Sequence, residues 1–216
     1  MLLRPDGDAV ICIGQPAHAF ISGQLAARWQ PRPSEEVILA ATQHDAGMAD
    51  WDAAPELNEH TGLPQSFMEM PLETHLRLWR HAPYRVLPQS RYAAVLVSMH
   101  GAALYEMRKR RTDEIEQYLD EQRVLQRKLG ADFDPEQLKR DQQLLWTWDS
   151  MSLGLCLDWE GADEPDPWPF ATDEVSVHCD GRRLRGRFAG TDEMRAALDG
   201  AEWVRLSFEL RRRPSR

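Results

Sequence analysis

QSRYAAVLVSMHGAALYEM, residues 89–107, reads as a helix with an apolar surface wide enough to be a core element. Tyr92, Leu96, Met99, Ala103 and Tyr105 interleave with Ala93, Val97, His100 and Leu104, the 3.6-residue pattern of a helix apolar over much of its circumference. Such a segment predicts a mainly α-helical body. His100 lies inside that apolar surface, where an imidazole has few ordinary reasons to be.

Working outward, the same signature recurs. Leu2–Arg4 and Ala9–Ile13 flank the turn signal Pro5-Asp6-Gly7-Asp8, which predicts an opening β-hairpin over 1–14. Pro16 suits a helix start, and His18, Ile21, Ser22, Leu25 and Trp29 recur at helical spacing until Pro31 and Pro33. Ser34 as N-cap, with Glu35 and Glu36 in the first turn, opens a helix that carries Val37, Ile38, Ala41, His44 and Asp45 on one side. A loop rich in Asp, Asn, Pro and Gly, Ala46–Gln65, is long enough to wall a site. Pro71–Arg80 is helical, with Leu72, His75, Leu76 and Trp79 sharing a face.

Downstream, Thr112–Leu129 is charged, with a sparse apolar line of Ile115, Tyr118, Leu125 and Leu129. It predicts an exposed helix, half of a projecting hairpin. Asp134-Pro135-Glu136 starts another helix, along which Leu138, Asp141, Leu145, Asp149, Ser152, Leu153 and Cys156 step by three and four. Glu160–Asp173 reads as an acidic, proline-rich linker. Val175–Cys179, Leu184–Phe188 and Trp203–Leu210 then alternate as strands, the first two about the hairpin turn Asp180-Gly181. The expected organisation is one domain: the hairpin over 1–14, a helical core over 15–159 with a charged helical insertion near 108–133, and a β-rich extension over 174–213. N- and C-terminal strands are expected to close into one small antiparallel sheet.

Composition narrows the function. A chain of 216 residues is large enough for a real core. A formal charge of −9 and a pI near 5.3 argue against a nucleic-acid or lipid surface. The basic run Arg108–Arg111 is followed at once by Asp113, Glu114 and Glu116, the mark of a solvated helix face. Cys12, Cys156 and Cys179 form no CxxC pair and suggest no disulfide framework, which fits a reducing cytoplasm. No signal-peptide core and no run of about 18 apolar residues occurs, so a membrane is not expected as a partner. The sequence leaves room for a homo-oligomer.

The chemistry lies in the order His18, His44-Asp45, His75, His100, Asp149, with separations of 26, 30, 25 and 49 residues. One inward histidine would be explained as a core residue with one hydrogen bond. Five separate helical segments that each present an inward ligand fit imidazole and carboxylate sites for divalent metal. An ionised Asp149 on a buried stripe would cost several kcal/mol unless it is paired or coordinated. Asp141, two turns earlier on the same face, competes with it. His60, His81 and His178 fit the pattern less well, with His81 a candidate substrate contact.

This order resembles the HD-domain superfamily of metal-dependent phosphohydrolases in its two-metal variety. The segments HAFISGQLAARW, QHDAGMADWD, HLRLWR, QSRYAAVLVSMHG and WDSMSLGLCLDW resemble more specifically a bacterial family of unknown function, DUF3891. The resemblance implies an HD-like helical bundle. It also implies that His18, His44, Asp45 and Asp149 form a first metal set, that Asp45 bridges, and that His75 and His100 complete a second. Asp45 and His44 would be the catalytic pair. Two ions of Mn, Fe, Zn, Co or Mg about 3.5–4 Å apart would activate water and polarise a phosphoryl oxygen. The expected partner is a small phosphorylated or nucleotide-like substrate, with Arg91, Arg80, Arg77 and His81 as candidate phosphate contacts. Gln15, Gln43 and Gln89 are candidates for orienting ligand or water. Two other readings remain open: an HD-like diiron oxygenase, and a metal-binding interaction protein without catalysis, in which Trp51, Trp79 and Trp168 would anchor a partner.

Overall fold

The computed structural model describes residues 1–6, 9–29 and 31–157, together with the backbone of four strands between 176 and 212. The opening hairpin pairs β1 (Leu2–Asp6) with β2 (Ala9–Ile13) in antiparallel register from Leu2↔Ile13 to Asp6↔Ala9. Leu2 and Ile13 are buried and tie the hairpin to the helical body. Seven helices follow among the described residues: α1 (Gln15–Arg28), α2 (Glu35–Gln43), α3 (Ala49–Ala53), α4 (Leu72–Val86), α5 (Arg91–Glu106), α6 (Asp113–Gly130) and α7 (Pro135–Leu157). The chain is mainly helical.

Local chemistry sets the helix ends. Gly14 caps α1 with Pro16 in its first turn, and the helix ends where Trp29 turns extended ahead of the prolines. Ser34 Oγ accepts from Val37 N and starts α2. Ser90 Oγ accepts from Ala93 N at the head of α5 and donates to Glu36 Oε1 at 2.7 Å, which ties that head to α2. Asp134 Oδ1 accepts from Glu136 N ahead of α7. Helix α4 runs beyond the expected Arg80 and through Pro83, because Leu87 N closes onto the Pro83 carbonyl and Ala82, Pro83 and Val86 are all buried.

Two expectations are corrected. Helix α6 does not project: Ile115, Tyr118, Leu119 and Gln122 are buried and Arg80 of α4 pairs with Glu121 at 2.6 Å, so the charged helix lies on the bundle with its salt-bridged face outward. Nor, among the described residues, do N- and C-terminal strands share a sheet. Strands β3 (Ser176–Asp180), β4 (Arg183–Arg187), β5 (Asp192–Leu198) and β6 (Leu206–Arg212) form their own antiparallel meander in the order β3-β4-β5-β6. Each pairs with its neighbour in sequence because short connections make local pairing the cheapest to close. The expected linker Glu160–Asp173, and with it Trp168, lies outside the described residues. Among those described, no helix is long and apolar enough to cross a membrane.

Helices α1, α2, α5 and α7 enclose a buried centre. Where α1 crosses α2, a Cβ on Gly23 would stand 2.0 Å from Thr42 Oγ1 and 3.0 Å from its Cα, so only glycine permits the approach. His18 stands on one of these helices and His44 at the end of the other.

Candidate metal centre

His18 projects from α1, His44 terminates α2, Asp45 begins the 3-10 turn Ala46–Met48, His100 comes from α5 and Asp149 from α7. The adjacent His44 and Asp45 reach one centre because the helix stops between them and the backbone kinks at Asp45, φ −95° and ψ 16°. All five are buried, with exposures of 1 to 7%.

His18 Nε2 stands 3.0 Å from Asp45 Oδ2 and 3.2 Å from Asp149 Oδ1. His44 Nε2 stands 3.2 Å from the same Asp149 oxygen, 3.3 Å from His18 Nε2 and 3.5 Å from Asp45 Oδ2. His100 Nε2 lies 3.4 Å from the other Asp149 oxygen, Oδ2. Ligand atoms about 2.1 Å from a cation are about 3.0 Å apart at neighbouring octahedral positions and about 3.4 Å apart in a tetrahedron. The observed spacings fall in that range, and His18, His44 and Asp149 can hold a metal ion between them.

Proton bookkeeping supports the fit. His44 Nδ1 lies 2.9 Å from the Ala41 carbonyl, which can only accept, so Nδ1 carries hydrogen and the neutral ring turns its Nε2 lone pair inward. Ser152 Oγ donates to the Asp149 carbonyl at 2.8 Å and therefore accepts from His18 Nδ1 at 2.6 Å, which fixes His18 in the same tautomer. Ser22 Oγ, 2.8 Å away, fills the remaining acceptor position of Ser152. Two imidazole lone pairs and two carboxylates thus meet in a space shielded from water, an arrangement that calls for positive charge.

Without a cation, protons take its place on these imidazoles. Burial pulls the His18 pKa down, but hydrogen bonds and charge from Asp149 and Asp45 prevail and raise it to about 9. His44 is raised against the same burial penalty, chiefly by the charges of Asp45 and Asp149. Burial opposes ionisation of both acids, yet the imidazoles hold Asp45 below and Asp149 well below the usual carboxylate range. His100 is lowered, with burial the dominant cause.

His75 is not joined to these five by any hydrogen bond or ion pair among the described residues. Trp79 Nε1 donates to its Nε2 at 3.1 Å, and its Nδ1 lies 2.6 Å from Tyr105 Oη. With Nε2 accepting, the one ring hydrogen sits on Nδ1 and bonds to Tyr105. Burial lowers the His75 pKa to about 4, with Arg108 adding to the fall. Trp79 stands between His75 and His100, its ring centroid 5.8 Å from that of His100.

The other candidates lie elsewhere. Arg80 pairs with Glu121, Arg91 pairs with Asp132 at 3.0 Å and stacks on Phe133, and Arg77 and His81 are exposed on α4. Gln43 and Gln89 exchange amide hydrogen bonds with each other, whereas Gln15 is buried one turn before His18 and its Oε1 has no partner. Asp141 is satisfied by Tyr92 Oη at 2.6 Å and Gln137 Nε2 at 2.8 Å, which explains its burial without metal. Trp51 and Trp79 belong to the core. His60 is exposed in the loop, and the side chain of His178 lies outside the described residues. Ser152 and Ser22, which orient the cluster, carry no functional reading in the sequence. A signal existed, since Ser22 and Ser152 sit one turn from His18 and Asp149 on the same buried stripes.

Among known proteins, the model of a family described as a protein of unknown function (DUF3891) matches residues 1–165. No curated protein and no solved structure matches the chain. The match covers the hairpin, all seven helices and every residue of the cluster, and on that extent the chain belongs to the DUF3891 family.

Proposed function

We propose that this protein is a metal-dependent hydrolase acting on a small phosphorylated or nucleotide-like molecule. The carrying observation is that His18, His44 and Asp149 converge with both imidazoles locked in the tautomer that offers Nε2. Asp45, 3.0 Å from His18 and 3.5 Å from His44, adds a second carboxylate to the set. When bound, a divalent cation supplies Lewis acidity, bringing the pKa of water toward about 7 and drawing charge from a phosphoryl oxygen. The chain's own part is to hold four donors rigidly from separate elements and to exclude bulk water. Two neutral imidazoles leave positive charge at the site that an all-carboxylate set would cancel. The phosphorylated substrate class is supported by the ligand order, which resembles that of HD-domain phosphohydrolases.

We read one ion rather than two. A second ion on His75 would require Trp79 to give up its hydrogen bond, and the nearest candidate arginines are engaged in ion pairs or exposed. The test is metal analysis of protein purified without chelator, followed by a screen of phosphomonoesters, phosphodiesters and nucleotides with Mn²⁺, Co²⁺ or Fe²⁺. About one ion per chain is expected, with hydrolysis that disappears in His44→Ala and Asp149→Ala while His81→Ala retains it. Iron-dependent oxygen uptake without hydrolysis would replace this reading by an oxygenase, and metal content equal in all three variants would end it.

A further inference from the structure

Three histidines face one centre, and their outer nitrogens divide them. His18 Nδ1 has Ser152 and His44 Nδ1 has the Ala41 carbonyl, whereas His100 Nδ1 is buried without a hydrogen-bond partner. Indoles flank its ring, Trp146 at a centroid distance of 5.1 Å and Trp79 at 5.8 Å. We propose that His100 is a positioning residue that donates a hydrogen bond from Nε2 to Asp149, and that it does not ligate the cation. The inference rests on the cation-site reading above and assigns this histidine a role different from that of its two neighbours.

A neutral imidazole carries one N–H. Placed on Nδ1, that hydrogen would be buried with no hydrogen-bond acceptor. Placed on Nε2, it has a carboxylate oxygen, Asp149 Oδ2, 3.4 Å away as its acceptor. A buried donor left unpaired is the more costly arrangement, so the hydrogen resides on Nε2. A nitrogen bearing hydrogen has no lone pair for a cation. Asp149 divides its oxygens to match, with Oδ1 3.2 Å from both His18 and His44 and Oδ2 turned to His100. His100 thereby fixes the rotation of the carboxylate and presents a single oxygen to the centre. Gly101, where an added Cβ would meet Trp79 at 2.5 Å, keeps that indole close beside His100. Such outer groups typically change metal affinity about 10- to 100-fold without changing stoichiometry.

The test uses full-length protein with ¹⁵N-labelled histidine, observed by ¹H–¹⁵N NMR with and without Zn²⁺. His100 should show the Nε2–H tautomer in both states, while in the zinc form His18 and His44 show Nδ1–H and metal-shifted Nε2. A metal shift at His100 Nε2 overturns the proposal. In parallel, His100→Gln, which keeps an amide N–H at similar reach, should bind one zinc with near-native affinity. His100→Leu should bind one zinc about 10- to 100-fold more weakly. Loss of the ion in His100→Gln, or native affinity in His100→Leu, also overturns it. If the wild type takes up no zinc, the cation-site reading fails by itself, and the metal-free spectrum still decides His100: an Nδ1–H tautomer there refutes the hydrogen bond to Asp149.

Discussion

Without a cation, His18 holds a proton against the pull of burial because two carboxylates lie within 3.2 Å of its Nε2. Its pKa of about 9 exceeds the 6.5 of an ordinary imidazole, so the folded metal-free state binds a proton that the unfolded chain releases. That contribution is complete below pH 6.5 and is lost as pH rises through about 9, on the order of 3 kcal/mol in all. Urea unfolding of chelated protein should therefore weaken between pH 6.5 and 9. In zinc-loaded protein the ion takes the proton's place and the decline should vanish; a flat profile in the chelated form would contradict the charge assignment. Ser152→Ala removes the acceptor of His18 Nδ1–H and should weaken zinc binding about 10- to 100-fold by titration calorimetry. The five residues that meet at the centre were legible as inward positions because polar side chains on apolar helical stripes stand out. His75 looks the same as His100 in sequence, and only the indole at its i+4 position, Trp79, separates them. Which buried aspartate matters was likewise hidden, because Tyr92, the partner of Asp141, lies 49 residues away on another helix.

At the scale of elements, the α1–α2 crossing decides whether His18 and His44 meet. A Cβ on Gly23 would collide with the side chain and backbone of Thr42, and a backbone atom cannot rotate aside. Gly23→Ala should cost about 1–3 kcal/mol, as overpacking does, and should also lower metal affinity because separating the helices parts the two imidazoles. Gly62→Ala serves as the control: it sits at φ +68° with nothing within 4 Å of an added Cβ, so it is strained locally but remote from any helix crossing. Equal metal affinity in Gly23→Ala and wild type would show that the crossing does not set the site. Helix existence was readable throughout from periodicity and from caps such as Ser34 and Ser90, whereas burial of α6 was not. Its apolar line looked sparse until Leu119 and Gln122 joined Ile115 and Tyr118 on the covered face. Strand pairing was harder still, since alternation identifies a strand but not its neighbour.

Across the whole molecule, the cluster links parts of the chain as far apart as His18 and Asp149, and it joins α1, α2, α5 and α7 at one point. Without a cation that junction encloses two acids and three imidazoles, and protons alone offset their charge. A ligand that binds only the folded chain stabilises it by RT ln(1 + [L]/Kd), about 2.7 kcal/mol at a hundredfold excess over Kd. The unfolded chain holds these donors far apart and gains little from the same ion, so nearly all of the binding free energy becomes folding free energy. Zinc or manganese should therefore raise the melting temperature in a concentration-dependent manner, and chelator should reverse the rise. Asp149→Asn keeps the size of the side chain but removes a charge that lies within 3.4 Å of all three imidazoles. It should melt at the same temperature with and without metal, whereas an exposed control such as Glu59→Gln should respond as the wild type does. If Asp149→Asn gained as much from metal as the native chain, the stabilising ion would be bound elsewhere and the four-helix junction would be no more than a buried ion-pair network.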